Sequence, residues 1–256
     1  VYKRQPIAIS GIVQERLVLR LADKVLALTE ELKSYATRMG AKNIDIVPNF
    51  VDIRAVDSIK TLGRRYWRDK LGLDVGCRYL LYVGRLHPVK QVHILLEAMK
   101  YLDRSVKLVI VGDGPLKGFL RRAASSFGLS ERVTLVGAKP QNLVYAYMTA
   151  CDVFVLPSKR EGQPRVILEA FAAEIPVVAF DVAGIKDIVV DGVTGILVKE
   201  QSGEALASAI KRLLENDSLA RKIAERARKE AEEKYDIRMV RKKLLEIVAQ
   251  CVRRKC

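Results

Sequence analysis

The sequence predicts an α/β fold with a doubly wound parallel β-sheet, and three observations lead to that prediction. Short apolar segments alternate with segments of helical periodicity from Arg78 to Asn216. The apolar segments are continuous runs of Val, Ile and Leu, as expected for strands buried on both faces of a parallel sheet. The helices follow the strands one by one, which implies right-handed crossovers and helices on both faces of the sheet.

Six strands and the helices between them can be placed on the sequence. The predicted strands are residues 78–84, 106–112, 132–137, 152–157, 176–180 and 195–198. The predicted helices are residues 89–102, 116–128, 142–150, 165–174 and 203–216, a short helix after the fifth strand, and two more at 218–234 and 237–252. Such sheets bind ligands at the carboxyl ends of the strands, so each turn after a strand is a candidate binding loop.

The first part of the chain shows a shorter pattern of the same kind. Its predicted elements are a helix at 15–23, a strand at 24–29, a helix at 30–40 and a strand at 44–49. Pro48 and Asn49 favour a turn, which we interpret as a hinge. We therefore expect the end of one Rossmann-like domain at 1–49, a complete second one at 50–235 and a terminal helix at 236–256. The sequence does not begin with Met, and we expect a fragment of a longer protein.

Composition narrows the functional classes. Half of the 256 residues are apolar, but no apolar run is long enough to span a bilayer, so a soluble or peripheral protein is expected. The four cysteines show no Cys-x-x-Cys spacing, which favours reduced thiols in a cytoplasmic protein. With only two histidines, a zinc site is not expected.

The net charge of +15 is compatible with nucleic acid, anionic lipid or an anionic small substrate. Only 6% of the residues are aromatic, and the basic residues are interleaved with Glu, so no base-stacking nucleic-acid platform is expected. Basic residues near the C-terminus leave peripheral membrane attachment open beside a solvated helix face. They are Arg238, Arg241, Lys242, Lys243, Arg253, Arg254 and Lys255.

The turn after the strand at 78–84 carries two cations. Gly84 ends the strand, and Arg85 and Lys90 follow in the loop and the first helical turn. Arginine offers a bidentate fork and lysine a point charge, so the loop suits a diphosphate, while plain surface cations are the alternative. The segment VGDGP lacks both phosphate-loop spacings and is predicted to be a tight turn, with Pro115 in the first turn of the next helix.

A second candidate loop, EGQPRVILEA, begins at Glu161. Pro164 is predicted at the first helical position, so that the free N–H groups of Arg165 and Val166 form an anion site. Glu169 lies about one turn further on, and its carboxylate can accept hydrogen bonds from two adjacent hydroxyls. The alternative is an exposed Glu161 and an i,i+4 pair between Glu169 and Arg165. Spacing alone leaves both interpretations open.

These residues match a known family. Residues 158–198 resemble the donor-binding segment of glycosyltransferase family 4, the group 1 glycosyl transferases, which are retaining enzymes with two Rossmann-like domains (the GT-B fold). The E-x7-E signature of that family falls on Glu161 and Glu169. The segments IVPNFVD, VGDGP and DGVTGILV also match in place, and the resemblance covers residues 20–250.

The resemblance implies roles for the candidate residues. The family's strand-end Gly-Arg and downstream Lys fall on Gly84, Arg85 and Lys90, whose cations would neutralise the leaving diphosphate. Glu161 would contact the transferred sugar and Glu169 the nucleotide ribose. Further substrate contacts would come from the loop residues Gly162, Gln163, Pro164, Arg165 and Val166. Val136 and Gly137 would line the pocket for the nucleotide base.

The resemblance also implies the partners and the domain roles. It implies a UDP-, GDP- or ADP-linked sugar donor, a glycan or lipid-linked acceptor, and no metal or other cofactor. Residues 50–235 would be the donor-binding domain, and the helix at 236–256 would pack back on the acceptor-side domain that ends at residue 49. The isolated chain is then expected to be inactive. The chain departs from the family at Glu174 and Ala183, where Gly is usual.

Two other functions remain as alternatives. A nucleotide-sugar epimerase could share the two-domain architecture, although the E-x7-E match argues against it. A non-catalytic basic module that binds nucleic acid or anionic membrane would explain the charge without any donor site.

Overall fold

The computed structural model describes the backbone of residues 7–253 and the side chains of residues 11–253. The chain divides into two compact units. The larger unit is Phe50–Ile237, and the smaller one combines the residues up to Asn49 with those from Arg238 onward. Two residues named above, Arg254 and Lys255, lie outside the described range, as does one of the four cysteines, Cys256.

Residues 7–253 contain eleven α-helices and eight β-strands. The helices are α1 (Ile7–Leu21), α2 (Glu30–Arg38), α3 (Ile53–Lys60), α4 (Gly63–Lys70), α5 (Val92–Ala98), α6 (Lys117–Ser126), α7 (Gln141–Ala150), α8 (Arg165–Ala172), α9 (Gly203–Leu214), α10 (Asp217–Glu230) and α11 (Ile237–Arg253). The strands are β1 (Val25–Ala27), β2 (Ile44–Ile46), β3 (Arg78–Val83), β4 (Val106–Val111), β5 (Val133–Gly137), β6 (Val153–Leu156), β7 (Val177–Phe180) and β8 (Ile196–Val198). A 3₁₀ turn covers Pro88–Lys90, and a π-helical turn covers Ala231–Tyr235.

The larger unit is built on a six-stranded parallel sheet with the order β5-β4-β3-β6-β7-β8. The chain adds strands outward from β3 and then returns to the other side of β3, so the order reverses between β3 and β6. Helix α5 contacts α6 and α9, whereas α3 contacts α7 and α8, as expected for helices that flank a sheet on both faces. The predicted fold class is confirmed, and the reversal marks the crevice where such sheets bind ligands.

The central strands are buried on both faces, which explains their unbroken apolar sequences. Leu80, Leu81 and Tyr82 of β3 have no exposed surface, and all four residues of β6 are buried. The six predicted strands of this sheet are confirmed to within one residue at either end. The smaller unit holds β1 and β2, which pair in parallel with Val25 opposite Ile44.

Two helices that precede β3 were not predicted. Asp52 caps α3, because its side chain accepts a hydrogen bond from the N–H of Ala55 at 3.1 Å. Helix α4 has the sequence GRRYWRDK, in which charged residues predominate and which gives no apolar pattern. Arg68 of α4 is nevertheless buried, because its guanidinium binds the Asp152 carboxylate at 2.8 Å and the Ala150 carbonyl at 2.9 Å. A tertiary ion pair therefore stabilises α4.

Two predicted helices were wrong in detail. The short helix expected after the fifth strand is a run of turns, in which the Ile185 N–H donates to the Val182 carbonyl at 3.1 Å. The helix expected at 89–102 is interrupted, because Gln91 has φ 46 and ψ 35 and separates the 3₁₀ turn from α5. Lys90 therefore lies in a tight turn before the α-helix.

Candidate functional site

The predicted site residues lie at the carboxyl ends of three strands of the larger unit. Gly84, Arg85 and Lys90 follow β3, Val136 and Gly137 end β5, and the segment 161–169 follows β6. Because parallel strands end at the same edge of a sheet, these loops border the crevice where the strand order reverses.

The loop after β3 is supported by the loop after β4. The Gly84 N–H donates to the Val111 carbonyl at 3.0 Å, and the Leu86 N–H donates to the Asp113 carbonyl at 2.9 Å. A Cβ added at Gly112 would lie 1.9 Å from the Gly84 carbonyl oxygen, so a larger residue cannot fit there. The VGDGP segment thus serves as a tight turn that holds its neighbour in place.

The two cations of this loop differ in their surroundings. Arg85 is exposed, and its guanidinium takes part in none of the ion pairs among residues 7–253. The Lys90 Nζ lies 2.5 Å from the Glu161 Oε1, and these side chains are only 23% and 10% exposed. The alternative of an exposed Glu161 is therefore wrong. Lys90 and Glu161 meet across the crevice although they are far apart in sequence.

The loop after β6 is fixed by two contacts. The Lys159 N–H donates to the Val89 carbonyl at 2.8 Å, which joins this loop to the 3₁₀ turn. Gly184 has φ 77, and a Cβ there would lie 2.3 Å from the Gly162 carbonyl oxygen and 2.4 Å from that of Glu161. Gly184 thus lets the segment after β7 support the backbone that carries Glu161.

Both prolines predicted in a first helical turn lie before their helices. Helix α6 begins at Lys117, so Pro115 belongs to the preceding turn. Pro164 has φ −73 and ψ 111, an extended conformation that makes it the N-cap of α8 and not its first residue. The N–H groups of Arg165 and Val166 still lie in the first turn, where helix geometry gives them no intrahelical acceptor.

Glu169 is a buried carboxyl group with 5% exposure. Burial raises its pKa above the usual range, and the nearby Gln141 amide and Arg165 guanidinium oppose that shift. Within the described residues, Glu169 does not form the i,i+4 ion pair with Arg165 that was considered as an alternative. The Arg165 guanidinium lies 5.3 Å from the centroid of the Phe50 ring. A carboxylate with so little water around it is well suited to accept hydrogen bonds from ligand hydroxyls.

Val136 and Gly137 are half-buried at the end of β5. The Gly137 carbonyl accepts from the Gly112 N–H at 2.9 Å, which fixes this end against β4. The Lys117 Nζ lies 4.0 Å from where a Gly137 Cβ would be, and Lys117 pairs with Asp113 at 2.7 Å. At this end of the crevice, the backbone of Gly137 is therefore uncovered, and the charged side chains of Lys117 and Asp113 lie beside it.

Of the remaining predicted contacts, Gly162 is exposed and Gln163 is buried. In the described part of the chain, no group of three His, Cys, Asp or Glu side chains is arranged to hold a metal ion. The helices of residues 7–253 include none that combines the length and the apolar character required to cross a membrane.

Sequence reasoning missed two residues that support the site. Tyr82 is fully buried, and its hydroxyl donates to the Arg85 carbonyl at 3.1 Å. Gln141 begins α7 and lies beside Glu169. The apolar pattern of β3 accounts for Tyr82 as a core residue, and Gln141 follows a turn, so only the tertiary contacts reveal them.

Comparison with known proteins identifies the family. The family described as Glycosyl transferases group 1 matches residues 63–230. The chain is 31% identical to alpha-D-kanosaminyltransferase of Streptomyces kanamyceticus, over 87% of this chain and 59% of that protein. It is 32% identical to D-inositol 3-phosphate glycosyltransferase of Nocardia farcinica, over 87% of this chain and 51% of that protein. The chain thus spans between half and three fifths of the length of these relatives.

Solved structures agree with this result. Anabaena HepE, in complex with UDP and glucose, matches with a TM-score of 0.84 and 25% identity, over 94% of this chain and 67% of that one. Sucrose-phosphate synthase from Thermosynechococcus elongatus matches with a TM-score of 0.86 and 25% identity, over 97% of this chain and 64% of that one. The resemblance noted in the sequence is confirmed, and the chain belongs to the family of group 1 glycosyl transferases.

Proposed function

We propose that the chain holds the donor site of an enzyme that transfers a sugar, with retention of configuration, from a nucleoside diphosphate sugar to a glycan or lipid-linked acceptor. The observation that carries this proposal is the contact between Lys90 and Glu161 beside the exposed Arg85. Two cations and a carboxylate where the strand order reverses suit a diphosphate that is joined to a hydroxyl-bearing sugar.

In this proposal Arg85 and Lys90 stabilise the leaving group. As the bond between the sugar and the diphosphate breaks, its electron pair stays on the diphosphate oxygen, and negative charge grows there. Cations placed in advance stabilise that charge more in the transition state than in the ground state. Glu161, already fixed by Lys90 and by the Gly184 contact, would bind hydroxyl groups of the transferred sugar.

The nucleoside would bind at the other end of the crevice. Buried Glu169 would accept hydrogen bonds from the ribose hydroxyls, and Val136 and Gly137 would line the base pocket. The amides of the loop from Gly162 to Val166 would bind phosphate or sugar oxygens. The presence of UDP in the HepE complex makes UDP the first nucleotide to test, with GDP and ADP beside it.

The two parts of the chain would have different roles. Residues 50–235 would form the donor-binding domain, and residues 1–49 and 236–256 would belong to the acceptor side. Because the chain spans 59% and 51% of two relatives, the acceptor contacts would come from further sequence, and this chain alone would bind nucleotide without turnover. The free thiols of Cys77, Cys151 and Cys251 fit a reducing compartment such as the cytoplasm.

The test is isothermal titration of the chain with UDP, GDP and ADP. We expect one of them to bind, and Arg85→Ala to weaken that binding by roughly 1.5–3 kcal/mol through loss of a charge-assisted contact. Arg104→Ala is the matched control, because Arg104 is an exposed arginine in the turn before β4, at the opposite edge of the sheet. If none of the three nucleotides gives a heat of binding, the donor-site proposal is wrong.

Two further experiments, one on this chain and one on the longer enzyme, distinguish the other two functions. If no nucleotide binds, and DNA or anionic vesicles bind equally to the wild type, Arg85→Ala and Glu161→Ala, the basic module is the better description. If the longer enzyme converts a nucleotide sugar to its 2-epimer without an acceptor, the epimerase is the better description.

A further inference from the structure

Strand β3 carries two buried tyrosines whose hydroxyls bind the backbone at opposite ends of the strand. Tyr79 is 4% exposed, and its hydroxyl accepts from the Asp74 N–H at 2.9 Å near the start of β3. Tyr82 has no exposed surface, and its hydroxyl donates to the Arg85 carbonyl at 3.1 Å just beyond the end of β3. Only the second hydroxyl touches a residue of the proposed donor site.

The Tyr82 hydroxyl lies directly beneath the turn that carries Arg85. A Cβ added at Gly84 would lie 2.8 Å from this hydroxyl oxygen, so the absence of a side chain at Gly84 leaves room for it. Burial and the charge of Glu161 both raise the pKa of Tyr82, which keeps the phenol protonated and able to donate. The hydroxyl therefore contacts the site through the Arg85 carbonyl.

Two other hydrogen bonds also fix the peptide group that joins Arg85 to Leu86. Its carbonyl also accepts from the His87 N–H at 3.0 Å, but that bond lies within the loop and cannot anchor the loop to the sheet. The N–H of the same peptide group, which belongs to Leu86, donates to the Asp113 carbonyl in the loop after β4 at 2.9 Å. Among the described residues, the Tyr82 hydroxyl is thus the side-chain contact from the core to the peptide group of Arg85.

We propose that Tyr82 is a positioning residue for the donor diphosphate: its hydroxyl fixes the Arg85 peptide group and so sets the direction in which the guanidinium leaves the turn. This inference rests on the proposed function, because it concerns the same diphosphate site. Anchoring the Arg85 backbone in advance removes backbone freedom that would otherwise be lost when the guanidinium binds an anion.

The test compares Tyr82→Phe with Tyr79→Phe. Both variants delete one buried hydroxyl from the same strand, but only Tyr82→Phe releases the Arg85 carbonyl. UDP titration should show binding weakened by roughly three- to tenfold in Tyr82→Phe, the effect of one hydrogen bond, and unchanged in Tyr79→Phe. Circular dichroism and urea denaturation report whether each variant folds.

A double-mutant cycle shows whether the effect passes through Arg85. On an Arg85→Ala background the Tyr82→Phe change should have no further effect on UDP binding, whereas a general disturbance of the crevice would weaken it again. Equal effects of Tyr82→Phe with and without Arg85 would overturn the proposal, as would wild-type affinity in Tyr82→Phe. A Tyr82→Phe chain that fails to fold while Tyr79→Phe folds would also overturn it, since the hydroxyl would then serve the fold.

The outcomes also separate this proposal from the proposed function. If Arg85→Ala loses UDP affinity and Tyr82→Phe does not, the donor site stands and the role of Tyr82 is wrong. If Arg85→Ala and the wild type bind UDP equally, or if the wild type binds none of UDP, GDP and ADP, the proposed function itself fails.

Discussion

The Lys90 ammonium lies 2.5 Å from the Glu161 carboxylate and joins the loop after β3 to the loop after β6. Each charge neutralises the other, and the two side chains remain partly exposed, at 23% and 10%. A diphosphate must therefore compete with Glu161 for Lys90, whereas Arg85 has no acidic partner within residues 7–253. The two cations of the loop are not equivalent.

Glu161→Gln should tighten the binding of free UDP. The substitution removes the charge that competes for Lys90, and we expect a gain of roughly 0.5–1 kcal/mol, the range of a partly exposed ion pair. Turnover of the longer enzyme with the sugar donor should fall, because the contact to the transferred sugar is weakened. UDP titration measures the first effect, with the exposed Glu131→Gln as control. Weaker UDP binding in Glu161→Gln would contradict this prediction.

Glu169→Gln should change the pH dependence of stability. Burial raises the pKa of Glu169 in the folded chain, so the folded state binds this proton more tightly than the unfolded state does. Stability therefore falls as the pH rises from the ordinary Glu pKa through the raised one. The variant should gain free energy of unfolding over the wild type at about pH 7, and the gain should vanish near pH 4.

Urea denaturation at both pH values measures this effect. Glu131→Gln, an exposed carboxyl at the opposite edge of the sheet, should show no such difference. A Glu169→Gln effect of the same size at both pH values would mean that burial of the charge is not its cause.

Gly184→Ala should destabilise the chain more than Gly192→Ala. Both glycines have positive φ, 77 and 69, so both alanines would cost about 1–2 kcal/mol in backbone strain. The space around Gly192 is open, but a methyl group at Gly184 meets the carbonyl oxygens of Glu161 and Gly162. That overlap should add about 1–3 kcal/mol and lower UDP affinity. Equal losses in urea denaturation would show that the contact is unimportant.

Glu174 has a positive φ of 55, which would explain the Gly that the family resemblance implies at this position. It follows α8 in a left-handed conformation, while the Ile175 N–H donates to the Ala170 carbonyl at 3.1 Å. Its carboxylate pairs with Lys60. Glu174→Ala should lose the ion pair and keep the strain, whereas Glu174→Gly should relieve about 1 kcal/mol of strain. In urea denaturation, Glu174→Gly should have a higher free energy of unfolding than Glu174→Ala. The reverse order would contradict this explanation.

Asp152→Asn should lower stability without changing nucleotide affinity. Asp152 is buried at the start of β6, where it accepts from Arg68 at 2.8 Å and from the Tyr79 N–H at 2.7 Å. Removing one charge of a buried pair costs about 3–5 kcal/mol. The proposed donor site lies at the carboxyl ends of the strands, whereas Asp152 lies at their amino ends. The UDP affinity of the folded variant should therefore match that of the wild type. An altered UDP affinity would contradict this prediction and would show that the two ends of the strands are coupled.

The strands of the main sheet could be predicted because burial on both faces leaves a local signature. Every residue of β6 is buried, and its sequence is correspondingly apolar throughout. Helix α4 could not be predicted in this way, because Arg68 is stabilised by Asp152, which lies far along the chain. The left-handed Gln91 was also unpredictable, since local periodicity continues across it.

The candidate site could be predicted only in part. Glycines after strands and the spacing of Glu161 and Glu169 indicated the loops. Spacing alone left open an exposed Glu161 and an ion pair of Glu169 with Arg165, and the assigned roles came from the family resemblance. The contact of Lys90 with Glu161 depends on how two crossovers place their loops, and the role of Tyr82 depends on a hydroxyl hidden in an apolar strand. Such contacts are properties of the packed chain.

The central claim is that Arg85 and Lys90 bind the diphosphate of the donor while other residues bind the nucleoside. The most direct test is the affinity of UDP relative to UMP, measured by titration for the wild type and for Arg85→Ala. We expect the wild type to favour UDP by about tenfold or more, as one charge-assisted contact allows, and Arg85→Ala to lose most of that preference. An unchanged ratio of the two affinities in Arg85→Ala would contradict the claim.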